Sequence, residues 1–416
     1  MKINLNDKWT IKKAKELYTY TSGISKGSQF FGTGYPYLTF TEIFHNYFVP
    51  DELTSLVQSN DRERENCSIK RGDVFLTRTS ETDNELGMSC VALKDYPNAT
   101  FNGFTKRLRP LTDDVIPEYA GFYFRSPIFR AAVTSMSSII TRASLNEKML
   151  DKLPVCYPSK KAQKKIASIL SAYDNLIQNY KKQIEALQTA ASELYKEWFV
   201  RFRFPGWQNA KFGNGIPEGW KVERLGNLAE IKSGKRLPQG YNFSDYPTRH
   251  PYIRARDIKH GNIDSNDFAY ISDEVYQKLK RYIVDENDIL LTIVANIGDV
   301  GYVNKSLLGF NLTENAVRLT NYSKRIEPRY LCYYLSQPAT KIYMEGLAVG
   351  AAQAKLGIYK IETIKVLLPN INIQKDFSRR ITLIHTKIDN LNKQITNLTQ
   401  QRDLLLPRLM SGKLEI

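Results

Sequence analysis

Apolar residues recur on one helical face in two long segments of the chain, which follow Ser159 and Asn370. In both segments they step alternately by four and three residues, and this period predicts a helix that pairs with another helix of the same period. The second segment repeats the first in register 211 residues later, so each can be the partner of the other. The stripe comprises Ile166, Leu170, Tyr173, Ile177, Tyr180, Ile184, Leu187, Ala191, Leu194 and Trp198, and then Phe377, Ile381, Ile384, Ile388, Leu391, Ile395, Leu398, Arg402, Leu405 and Leu409.

The ends and the direction of these helices also follow from the sequence. Ser159 and Asn370 are suited to cap a helix start, and each has a glutamine four residues later. The second helix is expected to end near Pro407, whereas the first continues through Trp198. An antiparallel pair is predicted, because the chain then leaves the first helix at the end where the second begins.

If the midpoints of the two helices coincide, Trp198 lies beside Phe377 and Tyr173 lies beside Arg402. Arg402 is the only charged residue of the stripe. It is expected either to lie over an aromatic face or to be an exposed end residue whose stem alone packs.

The repeat extends upstream of the helices. The stretch YPYLTFTEI (35–43) parallels HPYIRARDI (250–258), KRGDVFLT (70–77) parallels DENDILLT (285–292), and Ser-Gly pairs stand at 22–23 and 233–234. Short β-rich runs such as 73–77 and 289–294 alternate with turn residues and with helical stretches near 118–126 and 328–337. A duplicated unit is indicated, in which a mixed globule is followed by one long helix.

The predicted fold class is therefore α+β, with two pseudo-symmetric mixed α/β domains separated by two long antiparallel helices that form an intramolecular coiled coil. The predicted domains are a first globule (1–158), a central long helix (159–204), a linker with the second globule (205–369), and a C-terminal long helix and tail (370–416).

Composition narrows the class of partner. Among 416 residues, Lys and Arg exceed Asp and Glu by 16, which favours a polyanionic ligand, although a generic basic surface is the alternative. Four cysteines without paired spacing are expected to be buried apolar residues, and four histidines show no metal-ligand spacing. No apolar run is long enough to span a membrane and no signal peptide is evident, so a cytoplasmic protein is expected. Phosphate-binding and catalytic motifs are absent from the sequence, which predicts a non-catalytic protein.

Double-stranded DNA fits two similar basic globules, because it presents the same groove again after about 34 Å. Between positions 221 and 260, nine Lys or Arg oppose four Asp or Glu. The run SGKRLPQGYN (233–242) has a loop composition, and Arg254 and Arg256 alternate as in a strand, so they are predicted to share a face. The candidate contacts are Lys232, Ser233, Lys235, Arg236, Arg249, Arg254, Arg256 and Lys259 in the second globule, and Lys70, Arg71, Arg78, Lys106 and Arg107 in the first. For each of these residues, a solvated basic face is the alternative interpretation.

Several segments resemble the specificity subunit of type I restriction-modification systems over essentially the whole chain. They are IPEGWKVERLGNLAEIKSGKRLP (216–238), NDILLTIVANIG (287–298), LYKEWFVRFRFPG (194–206), LLLPRLMSGKL (404–414) and the starts of both helices, LPVCYPSKKAQKKIASIL and VLLPNINIQKDFSRRI. The resemblance is weaker at the Ser-Gly loops, where Lys235-Arg236-Leu237-Pro238 replaces the usual small residue, Thr and Pro, and where the first loop lacks the proline.

This resemblance implies that the globules are target recognition domains, each of which reads one half of an asymmetric bipartite DNA site. The helices would set the spacer and dock two methyltransferase subunits, through which restriction-translocase subunits join. S-adenosylmethionine, ATP and Mg²⁺ would belong to those partners, and none to this chain, which lacks N-P-P-[FY] and Walker A motifs. A modification-only or type IIB-like complex, and a coiled-coil scaffold that does not bind DNA, remain open as alternatives. DNA binding that weakens steeply with salt would exclude the scaffold.

Overall fold

The fold was analysed in a computed structural model, which describes residues 9–80, 85–136, 143–259, 261–264, 267–348 and 354–414. It divides the chain into two compact units. Unit 1 contains residues 1–182 and 392–416, and unit 2 contains residues 183–391. Both unit boundaries fall inside a long helix, so each unit holds one part of each long helix.

Unit 1 is a mixed α+β globule. Its largest sheet has four antiparallel strands in the order β2-β9-β5-β7, and a three-stranded sheet has the order β4-β3-β8. The strands are β1 Thr10–Lys13, β2 Tyr18–Ser22, β3 Phe31–Leu38, β4 Leu56–Val57, β5 Val74–Thr77, β6 Thr79–Ser80, β7 Ser89–Val91, β8 Thr100–Phe101, β9 Thr105–Pro110, β10 Ala143–Ser144 and β11 Pro154–Tyr157. The helices are α1 Ala14–Leu17, α2 Phe40–His45, α3 Asp61–Asn66, α4 Pro117–Tyr123, α5 Pro127–Met136, α6 Glu147–Leu150 and α7 Lys160–Tyr195.

Unit 2 repeats this plan. Its four-stranded antiparallel sheet has the order β15-β23-β20-β21, and its three-stranded sheet has the order β19-β16-β22. The strands are β12 Phe212–Gly213, β13 Ile216–Pro217, β14 Lys221–Arg224, β15 Glu230–Ser233, β16 Pro251–Ile253, β17 Ile258–Lys259, β18 Asn262–Ile263, β19 Ala269–Tyr270, β20 Ile289–Thr292, β21 Val300–Tyr302, β22 Asn311–Leu312, β23 Ala316–Thr320 and β24 Lys365–Leu368. The helices are α8 Asp273–Leu279, α9 Pro328–Leu335, α10 Pro338–Leu347, α11 Ile358–Glu362 and α12 Ile371–Met410.

Strand pairing confirms the duplication that the sequence predicted. Thr10 pairs with Tyr157 in the antiparallel β1–β11 ladder, and the residues 211 positions later, Lys221 and Leu368, pair in the β14–β24 ladder. The central strand of each three-stranded sheet makes one antiparallel and one parallel pair. The helices predicted near 118–126 and 328–337 are α4 and α9, each of which begins at a proline in its first turn. The linker predicted at the start of the segment 205–369 contains the β12–β13 hairpin.

A buried glutamine joins the start of each long helix to its own globule. The Gln163 side chain accepts a hydrogen bond from the Ile116 amide (2.9 Å) and donates to the carbonyl oxygens of Asp114 (2.8 Å) and Pro158 (2.9 Å). In unit 2, Gln374 accepts from the Glu327 amide (3.0 Å) and donates to two carbonyl oxygens, those of Arg325 and Pro369. The same three bonds recur in both halves, so the residues predicted only to lie in the first helical turn also lock the helix onto the globule.

Within each unit the two helix segments run antiparallel, as predicted. In unit 1, Ile166 and Leu170 share a core cluster with Leu406, Leu409 and Met410. In unit 2, Trp198 lies 6.0 Å from Phe377 between ring centroids, which confirms the predicted contact, and Ala191 shares a core cluster with Ile381. All of the predicted stripe positions are buried or half-buried.

The first helix runs through Trp198 and the second ends close to Pro407, as predicted, and the structure adds three details. Helix α12 continues past Pro407 to Met410. The last turn of the first helix is a π-helix, Lys196–Val200, which carries Trp198 into the core. Arg402 lies over an aromatic face, one of the two predicted alternatives, but the ring belongs to Tyr47 (5.1 Å to the centroid) and not to Tyr173, and Asp174 is its ion-pair partner (2.6 Å). Arg402 is therefore a half-buried charge. The Asp174 carboxylate and the Tyr47 ring, both in unit 1, offset the cost of removing its guanidinium from water.

Candidate nucleic-acid interface

A Ser-Gly pair ends the first strand of the four-stranded sheet in each unit and begins a long loop. At both Gly23 and Gly234, an added Cβ atom would overlap backbone carbonyl oxygens of the neighbouring strand region, those of Phe101 and Asn102 in unit 1 and those of Leu312 and Thr313 in unit 2. Only glycine permits this close approach. The loops therefore leave the two globules from the same point, with different sequences beyond it.

The loop of unit 2 presents cations to solvent. Lys235 is exposed, but both of its backbone polar groups are hydrogen-bonded. Its amide donates to the Leu312 carbonyl (2.9 Å), and its carbonyl accepts from the Tyr252 hydroxyl (2.7 Å). Arg236 is 79% exposed and pairs with Glu314 (2.7 Å). Near the end of the same loop, Arg249 pairs in bidentate fashion with Asp273, which lowers the pKa of that carboxyl. Such exposed pairs contribute little to stability and can exchange one carboxylate for a phosphate.

The remaining candidates in the first part of unit 2 differ in accessibility. Lys232 is half-buried and pairs with Glu230 (3.0 Å), Ser233 is exposed and its hydroxyl donates to the Gly234 carbonyl (3.0 Å), and Lys259 is exposed at the end of β17. Ser233 and Lys259 therefore remain accessible, whereas Lys232 is only partly so.

The prediction that Arg254 and Arg256 share the face of a strand was wrong. Strand β16 ends at Ile253, and a 3-10 helix, Ala255–Asp257, follows. The Arg254 guanidinium donates to the carboxylate of Asp257 (2.9 and 3.1 Å) and to the carbonyl of Asp267. Burial lowers the pKa of Arg254 more than any single neighbour raises it, but the carboxylates of Asp257 and Asp267 together give a net upward shift of the pKa. Arg254 is thus a structural clamp, whereas Arg256 is exposed and shares Asp267 (2.7 Å).

Two basic candidates of unit 1 were wrong as surface contacts. Arg107 is 5% exposed, and its guanidinium donates to the carbonyl oxygens of Asn66 and Ser68. Burial lowers the pKa of this guanidinium. Lys106 is also buried and pairs with Glu147 (2.6 Å). Both lie on β9, which is a central strand between β2 and β5, and both charges find their partners within unit 1 instead of in solvent.

The other candidates of unit 1 do not form one cluster. Arg71 pairs with Glu118 (2.5 Å) and lines a groove beside α7 of about 410 Å³. Lys70 is exposed, and Arg78 is half-buried just after β5. Unit 1 therefore has fewer accessible candidate cations than unit 2.

Sequence reasoning missed the aromatic residues of the unit 2 loop. Phe243 is 42% exposed and Tyr246 is 72% exposed, although both rings are large and apolar. The available signal was their position inside a basic, Gly- and Pro-containing segment without alternation. An aromatic ring in such a segment has no strand face on which to be buried.

Among the described residues, no group of three or more His, Cys, Asp or Glu side chains is arranged to hold a metal ion. All four cysteines are free and buried, as predicted. No helix in the described part of the chain is long and apolar enough to cross a membrane.

Two duplicated α+β units, each with a Ser-Gly loop and a long helix, define a two-domain recognition protein. The sequence profile of the family described as Type I restriction modification DNA specificity domain matches residues 6–189 and 217–400, and the second match begins 211 residues after the first. The chain belongs to this family. It is a specificity subunit of a type I restriction-modification system, a non-catalytic subunit that recognises DNA sequence.

Individual relatives agree with this assignment. The chain is 28% identical to the MjaIX specificity subunit of Methanocaldococcus jannaschii over 98% of this chain and 94% of that protein. It is 30% identical to the EcoBI specificity subunit of Escherichia coli over 44% of this chain and 38% of that protein. The crystal structure of the S subunit from M. genitalium has the same fold, with a TM-score of 0.59 at 17% identity, covering 98% of this chain and 96% of the other.

Proposed function

We propose that each unit of this specificity subunit reads one half of an asymmetric bipartite site in double-stranded DNA. The observation that carries the proposal is duplication with divergence. The sheets, their strand orders and the Ser-Gly origin of the loop are the same in both units, but the loops differ in length and sequence. A common scaffold with unlike loops fits two half-sites of different sequence, because phosphate contacts depend on the scaffold whereas base contacts depend on individual side chains.

In unit 2, the proposed DNA contacts are the accessible cations Lys235, Arg236, Arg249, Arg256 and Lys259, with Ser233 at the loop start. Three of these arginines have carboxylate partners at the surface, on Glu314, Asp273 and Asp267. Those carboxylates keep the guanidinium groups in position without DNA. In unit 1, the proposed contacts are Lys70, which is exposed before β5, and Arg78, which follows β5.

We further propose that the paired helices set the number of base pairs between the half-sites. Helices α7 and α12 are each continuous across the boundary between units. Removing one heptad from each helix shortens the pair by about 10 Å. This is the rise of about three base pairs. The accepted spacer is expected to shorten while both half-sites stay the same, and an unaltered spacer would contradict this role.

The long helices are also the proposed platform for two DNA methyltransferase subunits, through which restriction-translocase subunits join. Their outer faces carry exposed leucines at 176, 383 and 404, which a helix in solvent does not need. S-adenosylmethionine, ATP and Mg²⁺ are proposed to bind those partners in the cytoplasm and not this chain. A modification-only or type IIB-like complex would use the same DNA reading, because the difference lies in the partners.

Docking is tested by copurification. Leu383→Ser and Leu404→Ser are expected to weaken association with the methyltransferase subunit, whereas Ile342→Ser, a residue of similar exposure on α10, is the matched control. Equal association of all three variants would contradict docking on these leucines.

The central experiment is methylome sequencing of cells that contain this chain and its methyltransferase subunit. A bipartite motif with unlike halves is expected. Binding of the purified complex to a duplex with that motif is then titrated against salt, and affinity should fall steeply with the logarithm of the salt concentration. A continuous or symmetric motif would overturn the proposal.

A further inference from the structure

We propose that Tyr246 is a specificity-determining residue of the half-site read by unit 2, and that its aromatic ring contacts a base directly. This inference rests on the proposed DNA-reading function and adds a residue that is uncharged. Three observations support it, namely a fixed backbone, a ring that is largely exposed, and exposed cations in the same loop.

The backbone around Tyr246 is held in place. The Ser244 hydroxyl donates to the Tyr246 carbonyl (2.7 Å) and accepts from the Tyr246 amide (3.3 Å), which closes a local turn. The Ser244 amide donates to the Tyr270 carbonyl (2.8 Å), and the Thr248 hydroxyl donates to the Ile271 carbonyl (2.7 Å). Pro247 follows directly and restricts Tyr246 to an extended conformation. The loop tip is therefore ordered before any ligand binds, so little conformational entropy is lost on binding.

Folding does not account for the position of the ring. Tyr246 is 72% exposed, whereas the neighbouring Phe243 packs edge-to-face on the largely buried Tyr252 (5.2 Å between centroids). An isolated exposed aromatic is ordinary. Here the exposed ring lies in a loop whose backbone is fixed by hydrogen bonds and by the packing of Phe243. The ring is therefore held in a defined position in which it is available to a ligand.

The surroundings fit a nucleic acid better than an apolar protein surface. Lys235, Arg236 and Arg249 belong to the same loop, and all three are exposed. Cations suit the phosphates on either side of a groove, while an aromatic ring suits a base edge such as the thymine methyl group between them. The nearby Asp273 is already paired with Arg249, so it repels phosphate less than a free carboxylate would.

Unit 1 has the same anchor but a different tip. Phe31 packs edge-to-face on the buried Tyr37 (5.3 Å), and Tyr37 holds the same position in β3 that Tyr252 holds in β16. Beyond this anchor, the chain of unit 1 forms an irregular β-strand with Gly32 and Gly34 at positive φ. The anchor is thus shared and the tip is not, as expected if the tip distinguishes the two half-sites.

The test uses the full chain in complex with its methyltransferase subunit, in wild-type form and as Tyr246→Ala, Tyr246→Phe and the control Tyr359→Ala. Tyr359 is 69% exposed and lies on α11 of the same unit. Methylomes are compared first. Affinity is then measured for duplexes with the wild-type motif and for duplexes with each single base change in either half-site.

Tyr246→Ala is expected to relax one or two positions of one half-site only, with about a tenfold loss of discrimination there. Tyr246→Phe and Tyr359→Ala should keep the wild-type motif, because the ring and not the hydroxyl makes the proposed contact. An unchanged motif for Tyr246→Ala, an equal loss at both half-sites, or failure of that variant to bind the methyltransferase subunit would each overturn the assignment. A wild-type motif that is not bipartite would instead overturn the proposed function itself.

Discussion

The buried glutamines at the helix starts allow a quantitative test of how each long helix is joined to its globule. Replacing Gln163 with Leu keeps a similar volume but removes three hydrogen bonds, to the Ile116 amide and to the carbonyls of Asp114 and Pro158. Leaving one buried N–H group unsatisfied costs about 1–3 kcal/mol, and each lost bond to a carbonyl costs about 0.5–1.5 kcal/mol. The additional apolar surface that leucine buries offsets part of this cost. We therefore expect the free energy of unfolding of unit 1 to fall by about 2–4 kcal/mol.

Global unfolding of a chain with two units need not be two-state, so native-state hydrogen exchange is the appropriate assay. The amide of Ile116 donates to Gln163, and the amide of Glu327 donates to Gln374. A loss of 2–4 kcal/mol corresponds to about thirtyfold to thousandfold faster exchange. Gln163→Leu should accelerate Ile116 and leave Glu327 unchanged, and Gln374→Leu should do the reverse.

The matched pair of variants makes the reasoning refutable. Equal acceleration of both amides in both variants would show that the two units unfold as one body and that the bonds are not local. Unchanged exchange of Ile116 in Gln163→Leu would show that the glutamine bonds contribute no net stability. In the methylome, each variant is expected to weaken recognition of the half-site that belongs to its own unit.

Three further predictions concern other sites. Burial lowers the pKa of His385 from 6.5 to about 4, so the unfolded chain binds more protons than the folded chain between pH 6.5 and pH 4. The free energy of unfolding should therefore be at its full value above pH 6.5 and fall by up to about 3 kcal/mol as the pH drops to 4. In urea titrations, His385→Phe should flatten this pH dependence. Gly234→Ala places a Cβ atom against backbone and should cost about 1–3 kcal/mol in thermal unfolding, whereas Gly346→Ala, with open space around it, should not destabilise. Lys235→Ala should lower the salt slope of DNA binding by about one with stability unchanged, but Lys106→Ala should lower stability with the slope unchanged.

The accuracy of the sequence-based site prediction depended on strand context. Arg107 and Lys235 look alike in the sequence, since both stand near short β-rich runs. Arg107 lies on β9, between β2 and β5, where its guanidinium is satisfied by backbone carbonyls, whereas Lys235 follows the strand end at a glycine that diverts the chain. The local composition of a segment gives the number of its charges, but it does not indicate whether a given side chain points to solvent or into the protein. This direction is set by the strand pairs on either side.

The repeat, the antiparallel helix pair and the contact of Trp198 with Phe377 followed from the sequence alone. Periodicity and chain connectivity are local properties that each stretch of sequence carries within itself. Tertiary structure decided which cations reach solvent, how the glutamines lock the helices, and that Arg402 pairs with Asp174 under the ring of Tyr47. These outcomes depend on residues far apart in the chain that meet only after folding. Desolvation and hydrogen bonding are determined by those neighbours and not by the residue itself.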